Sequence, residues 1–212
     1  MSKNLHVKLS SLVFLVSFAA VSQADVAYDN FAVGDAYAYW SGWIISGNSS
    51  FAENAFVQGD QFTSLTTGTL VSVTVGFMNV RDTNSGVISL YGDSGSDTVG
   101  SLITSWTLTK LPTFGVNSPP TVLQNGNPSI SLTAGTKYWI IGDVIAQDSY
   151  DALAMNDTLA SSLHATSLNG GAFSYSTETT SALRVITAPV PEPATMAALG
   201  LGMVALLRRK RK

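Results

Sequence analysis

The central part of the chain alternates apolar and polar residues with a period of two, the spacing that puts one set of side chains on a buried sheet face. In Val71–Phe77, valines and a phenylalanine alternate with serine, threonine and glycine. The segment Ser101–Thr109 repeats this pattern. Its apolar face contains Leu102, Trp106 and Leu108. Both segments are predicted to form half-buried β-strands.

Three other segments complete the predicted set of strands. Ile88 and Leu90 continue the alternation briefly, and Tyr138–Val144 is more continuously apolar, as expected of a central strand. Ala182–Thr187 is the last candidate. Residues typical of tight turns separate the segments: Asn84-Ser85-Gly86, Gly92-Asp93-Ser94-Gly95, Asn125-Gly126 and Ala134-Gly135-Thr136. Many short strands with regular turns predict an all-β fold, a single β-sandwich or jelly roll, over residues 25–188.

Helical patterns compete weakly with these strands. The best candidate is Asp151–Leu163, but Asn156-Asp157-Thr158 interrupts its apolar residues. We therefore interpret this segment as a loop with at most one short helix. The segment Gly34–Gly59 is rich in aromatic residues and glycine, and the boundaries of its strands stay open.

The first 24 residues have the layout of a secretory signal peptide. Lys3 and Lys8 supply a basic stretch, and Leu9–Val21 is an apolar run shorter than the roughly 20 residues of a spanning helix. Small residues follow, and they predict cleavage between Ala24 and Asp25. An N-terminal anchor that is never cut is the alternative.

The last residues predict a short membrane segment. Pro189–Pro193 contains three prolines, which fix φ and lack a donor, so it is expected to be a stiff, extended spacer. The apolar run Ala194–Leu207 would span about 21 Å as a helix, less than the roughly 30 Å hydrocarbon core. The five cations of Arg208–Lys212 resist translocation and are expected to stay in the cytoplasm.

These three parts, in this order, resemble the PEP-CTERM sorting signal of Gram-negative bacteria. The motif residues are Val190, Pro191, Glu192 and Pro193, and the basic cluster is Arg208, Arg209, Lys210, Arg211 and Lys212. The resemblance implies export by the general secretion machinery, transient anchoring in the inner membrane, and cleavage near the motif by exosortase, a multipass membrane transpeptidase-like enzyme. It also implies a link to exopolysaccharide and biofilm surfaces. A plain tail anchor with an incidental proline linker is the alternative.

Composition supports a secreted domain that does not bind nucleic acid. The charged fraction is only 12%, and cysteine is absent, so the fold relies on a hydrophobic core. Between Asp25 and Pro189, four cations against thirteen acids give a formal charge of −9. A domain this acidic repels phosphate backbones.

The middle of the chain also resembles the choice-of-anchor R type of extracellular domain, over roughly Ala52–Asn156. The matching segments are Gln61–Thr63, Leu70–Val75, Val87–Asp93, Gly100–Ile103 and Ile130–Trp139. Such domains occur upstream of different surface-anchoring signals. The resemblance implies a β-sandwich and no established chemistry.

Two acidic segments are candidate calcium sites. Asp93 and Asp97 flank a glycine turn, a geometry that could wrap oxygen ligands around Ca²⁺, although six to eight ligands are needed. A solvated hairpin tip is the alternative interpretation. A second acidic cluster, which loop solubility also explains, is formed by Asp143, Asp148, Asp151 and Asp157.

Aromatic residues at the start of the domain are candidates for sugar stacking. Trp40 and Trp43 lie close to Tyr37 and Tyr39 in a glycine-rich stretch. Packing in the core is the alternative role for most of these rings. Trp106 and either Tyr138 or Trp139 are expected in the core.

Hydrolysis is the weakest candidate chemistry. After the predicted cleavage His164 is the only histidine, so any Ser-His-Asp triad must use it. A lone histidine in this context is expected to be an ordinary surface or loop residue. The sequence therefore favours a non-catalytic surface or extracellular-matrix protein without a cofactor, followed by a carbohydrate-binding module and, last, a secreted hydrolase.

Overall fold

The computed structural model describes residues 23–189 of the chain. These residues form β-strands joined by turns and loops, without a helix, which confirms the all-β prediction. The strands are β1 (Asp25–Asp29), β2 (Tyr37–Ser46), β3 (Phe56–Thr63), β4 (Gly68–Val75), β5 (Phe77–Arg81), β6 (Ser85–Asp93), β7 (Val99–Thr109), β8 (Thr121–Gln124), β9 (Ser131–Leu132), β10 (Lys137–Val144), β11 (Tyr150–Asn156), β12 (Ser161–Leu168), β13 (Ser174–Thr179) and β14 (Leu183–Ala188).

Within residues 23–189 we find no helix that could span a lipid bilayer.

The strands form two antiparallel sheets of unequal size. The smaller sheet has the order β1-β14-β4-β8, with β9 also paired to β4. The larger sheet has the order β5-β11-β2-β3-β10-β6-β7, and it branches at β3, which also pairs with the β12–β13 hairpin. β1 and β14 pair so that Asp25 lies opposite Thr187, and the two ends of the domain are therefore neighbours.

The main hydrophobic core lies between the two sheets. The smaller sheet contributes Val73 and Val185, both fully buried, and the larger sheet contributes Ile88 and Leu90. Burying an aliphatic side chain of this size contributes about 1.5–3 kcal/mol, so this core supplies much of the stability of a domain without disulfides. The alternation of Ile88 and Leu90 and the central position of β10 are as predicted.

A second, smaller core lies on the outer face of the larger sheet. Trp139 points away from the main core, yet it is fully buried because it packs under the β12–β13 hairpin. Tyr175 meets its ring edge-on, with the ring centroids 5.5 Å apart. Tyr138, which points to the opposite face of β10, stacks on Phe62 in the main core. Both residues are buried, as the core prediction required.

The segment Val71–Phe77 is not the single strand that its alternation predicts. β4 ends at Val75, and Phe77 begins β5 in the other sheet. Gly76 joins the two strands, and a Cβ there would lie only 3.1 Å from the ring of Tyr37. A bulge opposite Ile186 and Thr187 also shifts the register, so that Leu70 rather than Val71 joins the core.

A similar register shift corrects the prediction for β7. Between Leu102 and Thr104 the pairing with β6 slips by one residue, and Leu102 is left 55% exposed. Beyond the slip, Trp106 and Leu108 are half-buried and pack against the rim of the main core. Trp106 is therefore a residue of the core boundary and not of its interior.

The interpretation of Asp151–Leu163 as a loop is wrong. Tyr150–Asn156 forms β11 between β2 and β5, and Ser161 already belongs to β12. Alanine, leucine and methionine have little preference for strands, but Ala152 and Leu153 are fully buried in the middle of a sheet. Packing therefore decides the conformation here, and only the turn between the two strands matches the prediction.

Candidate functional site

The most developed polar site in the described residues surrounds His164. This residue was expected at the surface or in a loop, but it lies on β12 with 1% of its surface exposed. It lies opposite Asp60 of the neighbouring strand β3. The two side chains form a hydrogen bond, with Nδ1 of His164 2.8 Å from Oδ1 of Asp60. Trp43 covers the imidazole ring, with the ring centroids 4.2 Å apart. The prediction failed because the partners of His164 are about a hundred residues away in the chain.

The other ring nitrogen of His164 is also engaged. Nε2 lies 3.0 Å from Oε1 of Gln58. The amide of Gln58 has a fixed orientation, because its Nε2 donates to the carbonyl of Ile44 and its Oε1 accepts from the Thr166 hydroxyl. Both ring nitrogens of His164 therefore have a side-chain oxygen within hydrogen-bond distance, and the ring is fixed from both sides.

The second carboxylate oxygen of Asp60 accepts hydrogen bonds from Ser181, which lies just before β14 of the smaller sheet. Asp60 Oδ2 accepts from the backbone N–H and the hydroxyl of Ser181, at 2.8 and 2.6 Å. In a hydrolase triad the serine hydroxyl must bond to the imidazole, which removes its proton. Here the serine bonds to the carboxylate, and Gln58 occupies the remaining imidazole nitrogen. The arrangement joins β3, β12 and the approach to β14, and provides no activated nucleophile.

Asn30 extends this polar junction. Its side-chain amide donates to the Thr180 hydroxyl and the Ser181 carbonyl, and its Oδ1 accepts from Leu183 N–H at 2.7 Å. A buried polar network in which the members satisfy one another rigidifies the fold. One sign of this network is present in the sequence. Gln58, Asp60 and Phe62 are spaced two residues apart, so they share one face of β3, although only Phe62 is apolar.

The two tryptophans proposed for sugar stacking have different environments. Trp40 is 59% exposed and lies in a wide bulge of β2, where Gly42 and Ala38 pair with consecutive residues of β11. Tyr39 supports its ring edge-on, with the centroids 4.7 Å apart. Trp43 is half-buried against His164, and its indole N–H donates to the Thr179 carbonyl at 3.0 Å. Only Trp40 presents an open ring.

The carboxylates of Asp93 and Asp97 lie together beside the turn that joins β6 to β7. Asp93 accepts from the indole N–H of Trp139 at 3.0 Å and from the backbone of Gly95 at 2.7 Å. Asp97 accepts from the Lys137 ammonium, and this contact lowers the pKa of its carboxyl. Gln61 donates to both carboxylates at 3.1 Å. These donors, including a cation, occupy oxygens that a calcium ion would need.

The second acidic cluster is dispersed. Asp143 points to solvent, and Asp148 accepts from the Thr83 hydroxyl. Asp151 is fully buried, and burial raises the pKa of its carboxyl to about 7. Asp157 is exposed in the turn after β11. Residues 23–189 contain no group of three metal-ligating side chains.

The predicted processing sites flank the described fold. The signal peptide lies almost wholly outside the described residues, and β1 begins at Asp25, the residue after the predicted cleavage site. Cleavage after Ala24 stays a prediction. The Val190–Pro193 motif, the apolar segment and the basic cluster Arg208–Lys212 also lie outside the described residues. β14 ends at Ala188, immediately before them.

Comparison with protein families gives one match. The model of the PEP-CTERM protein-sorting motif matches residues 189–212. Neither the curated proteins nor the solved structures contain a match to the chain. The resemblance of the middle region to choice-of-anchor R domains is not confirmed and stays a prediction. The match confirms the predicted sorting signal and supports an exported protein whose C-terminal end is anchored in the membrane before exosortase processes it. The chain thus carries a PEP-CTERM protein-sorting motif at residues 189–212.

Proposed function

We propose that this chain is a non-catalytic surface or extracellular-matrix protein that presents an acidic β-sandwich and is linked to exopolysaccharide. One observation carries the proposal: the last strand, β14, ends at Ala188, and the sorting motif begins at residue 189. Cleavage near Pro191–Pro193 would therefore release the folded domain without removing any residue of a sheet.

The position of β14 supports a cut that falls beyond this strand. β14 lies between β1 and β4, so its loss would leave β1 without a partner. Asp25 lies opposite Thr187, so the two predicted cuts fall at the same end of one strand pair. A protein released by both cuts would keep the β1–β14 ladder.

Cell fractionation tests the sorting part of the proposal. In the exporting host, the full chain should reach the surface or the medium, whereas a host without exosortase should retain it in the inner membrane. A variant lacking Val190–Lys212 should be secreted without retention in either host. Equal surface delivery of the full chain with and without exosortase would contradict the proposal.

The geometry around His164 supports the absence of catalysis. The ring is buried, both of its nitrogens have partners, and the neighbouring serine bonds to Asp60 instead. A general base must reach a proton on its substrate, and this ring has neither a free nitrogen nor access to solvent. In hydrolase assays, the wild type and Ser181→Ala should show the same background rate of substrate hydrolysis. A rate that Ser181→Ala removes would contradict a non-catalytic role.

One observation favours a second candidate function, a carbohydrate-binding module. Trp40 offers an exposed indole face in a bulged strand with Tyr39 behind it, the geometry on which a sugar ring can stack. Trp43, which was proposed with it, is engaged by His164 and is not part of such a platform.

Affinity electrophoresis in gels that contain the host's exopolysaccharide tests this candidate. Trp40→Ala should abolish any retardation of the protein. Phe51→Ala removes another exposed ring, 66% accessible and located in the loop between β2 and β3, and should leave the retardation unchanged. Equal loss in both variants, or none in Trp40→Ala, would rule out stacking at Trp40.

A further inference from the structure

The sheets of the described fold end in several edge strands, and most of these edges are blocked. An edge strand exposes unpaired backbone groups, which proteins protect with charges, prolines, bulges or covering loops. β1 carries an aspartate at each end and a bulge. β5 is covered by a loop, because Asn79 exchanges backbone hydrogen bonds with Pro112 and Phe114. β8 has four residues and follows two prolines, and β13 contains Glu178.

β7 is the exception. It is an edge strand of 11 residues, Val99–Thr109, and contains neither a charged residue nor a proline. Its first half is irregular, but Thr104–Thr109 pairs residue by residue with β6. No backbone hydrogen bond within residues 23–189 covers the outer side of this regular segment.

The side chains of this segment are self-complementary. Ser105, Thr107 and Thr109 are exposed on the outer face, and Trp106 and Leu108 point towards the core. A two-fold axis perpendicular to the sheet pairs two such segments antiparallel and keeps each face on its own side. Hydroxyl residues then lie opposite hydroxyl residues, and apolar residues opposite apolar residues, both of which are favourable cross-strand pairs.

The absence of charged residues in β7 allows two copies of this strand to approach each other. The domain carries a formal charge of −9, so two copies repel each other at long range, but the regular part of β7 brings no like charges into contact. The other edges of the same chain are blocked. Pairing is therefore restricted to β7 with β7, and an interface that uses the same surface twice closes as a dimer.

We propose that two copies of this protein associate through antiparallel pairing of β7, along Thr104–Thr109, so that their larger sheets become one continuous sheet. The interface is small and consists of backbone hydrogen bonds with an uncharged row of side chains on each face. The proposal does not rest on the processing or the polysaccharide link proposed above.

Sedimentation velocity of the full chain in non-ionic detergent tests the dimer with a matched pair of variants. Thr107→Lys puts two lysines near the two-fold axis, where like charges oppose pairing, and should raise the dimer dissociation constant about tenfold. Thr177→Lys makes the same change at an exposed position of edge strand β13 and should leave the constant unchanged. Both variants reduce the net negative charge equally, so general repulsion predicts tighter association for both.

Hydrogen exchange of the wild type provides the second measurement. The amides of Thr104–Thr109 should become more protected as the concentration rises, while those of β13 should not. A wild type that stays monomeric, an equal effect of the two lysines, or protection that does not change in β7 would each overturn the proposal. Dimers that form through the apolar C-terminal segment would persist in Thr107→Lys. Persistence of the dimer in that variant would therefore count against pairing through β7.

Discussion

Asp151 makes the stability of this domain depend on pH in a way that one substitution should remove. Its side chain lies on β11 with 0% of its surface exposed, opposite Ile45. Oδ1 accepts from Asn79 Nδ2 at 2.9 Å, but Oδ2 has no hydrogen-bond partner within the described residues. A buried carboxylate with one unsatisfied oxygen is costly to ionise. Burial therefore raises the pKa of Asp151 to about 7.

The magnitude follows from linkage between protonation and folding. The pKa of the carboxyl is 3.8 without the fold and about 7 within it, and each unit corresponds to about 1.4 kcal/mol. Because the folded state holds this proton more tightly, the contribution of Asp151 to stability is highest below about pH 4. It falls by about 1.4 kcal/mol per pH unit up to about pH 7, a loss on the order of 4 kcal/mol.

Urea denaturation of the wild type and Asp151→Asn at several pH values between 3 and 9 measures this loss. The amide cannot ionise, so the difference in unfolding free energy between the two proteins should shift by about 4 kcal/mol in favour of the variant as pH rises. Any constant effect of amide packing cancels in this pH dependence. Asp157→Asn, in the exposed turn that follows the same strand, is the matched control for the loss of one carboxyl group. A difference for Asp151→Asn that does not change with pH would refute the reasoning.

Two further substitutions test the packing and the polar junction. Asp60→Ala removes the acceptor for His164 and Ser181, and should lower the unfolding free energy by about 3–5 kcal/mol in urea titrations; a loss below about 1 kcal/mol would mean that the junction is not structural. Gly59→Ala places a Cβ 1.9 Å from the Ile140 carbonyl oxygen, a backbone atom that cannot move aside, and should cost about 3 kcal/mol or prevent folding. Gly126→Ala is its control, because a Cβ at Gly126 would lie in open space. Equal thermal stability of the two variants would contradict the close approach of β3 and β10.

The sequence predicted those elements whose burial follows a regular period. β6, β10 and the final strand β14 were recognised because one face, or in β10 both faces, is consistently apolar. β4 and β7 were recognised as strands, but their core residues were misassigned at Leu70 and Leu102. A bulge moves every later side chain of the strand to the opposite face. The position of a bulge depends on the partner strand, and the sequence of one strand does not reveal it.

The candidate site was harder to predict because its parts are distant in the chain. His164 meets Asp60 and Gln58, which are more than a hundred residues earlier, and no local motif connects them. The strand β11 was missed for a related reason, since Ala152 and Leu153 adopt an extended conformation only because two neighbouring strands enclose them. The sorting signal was predictable because its three parts follow one another directly in the sequence.

Mass spectrometry of the protein released by its exporting host tests the central claim most directly. The account predicts a chain that begins at Asp25 and ends within the Val190–Pro193 motif or next to it, so that β14 is intact and the apolar and basic segments are absent. A released protein whose mass still includes Arg211 and Lys212 would contradict processing at the sorting signal.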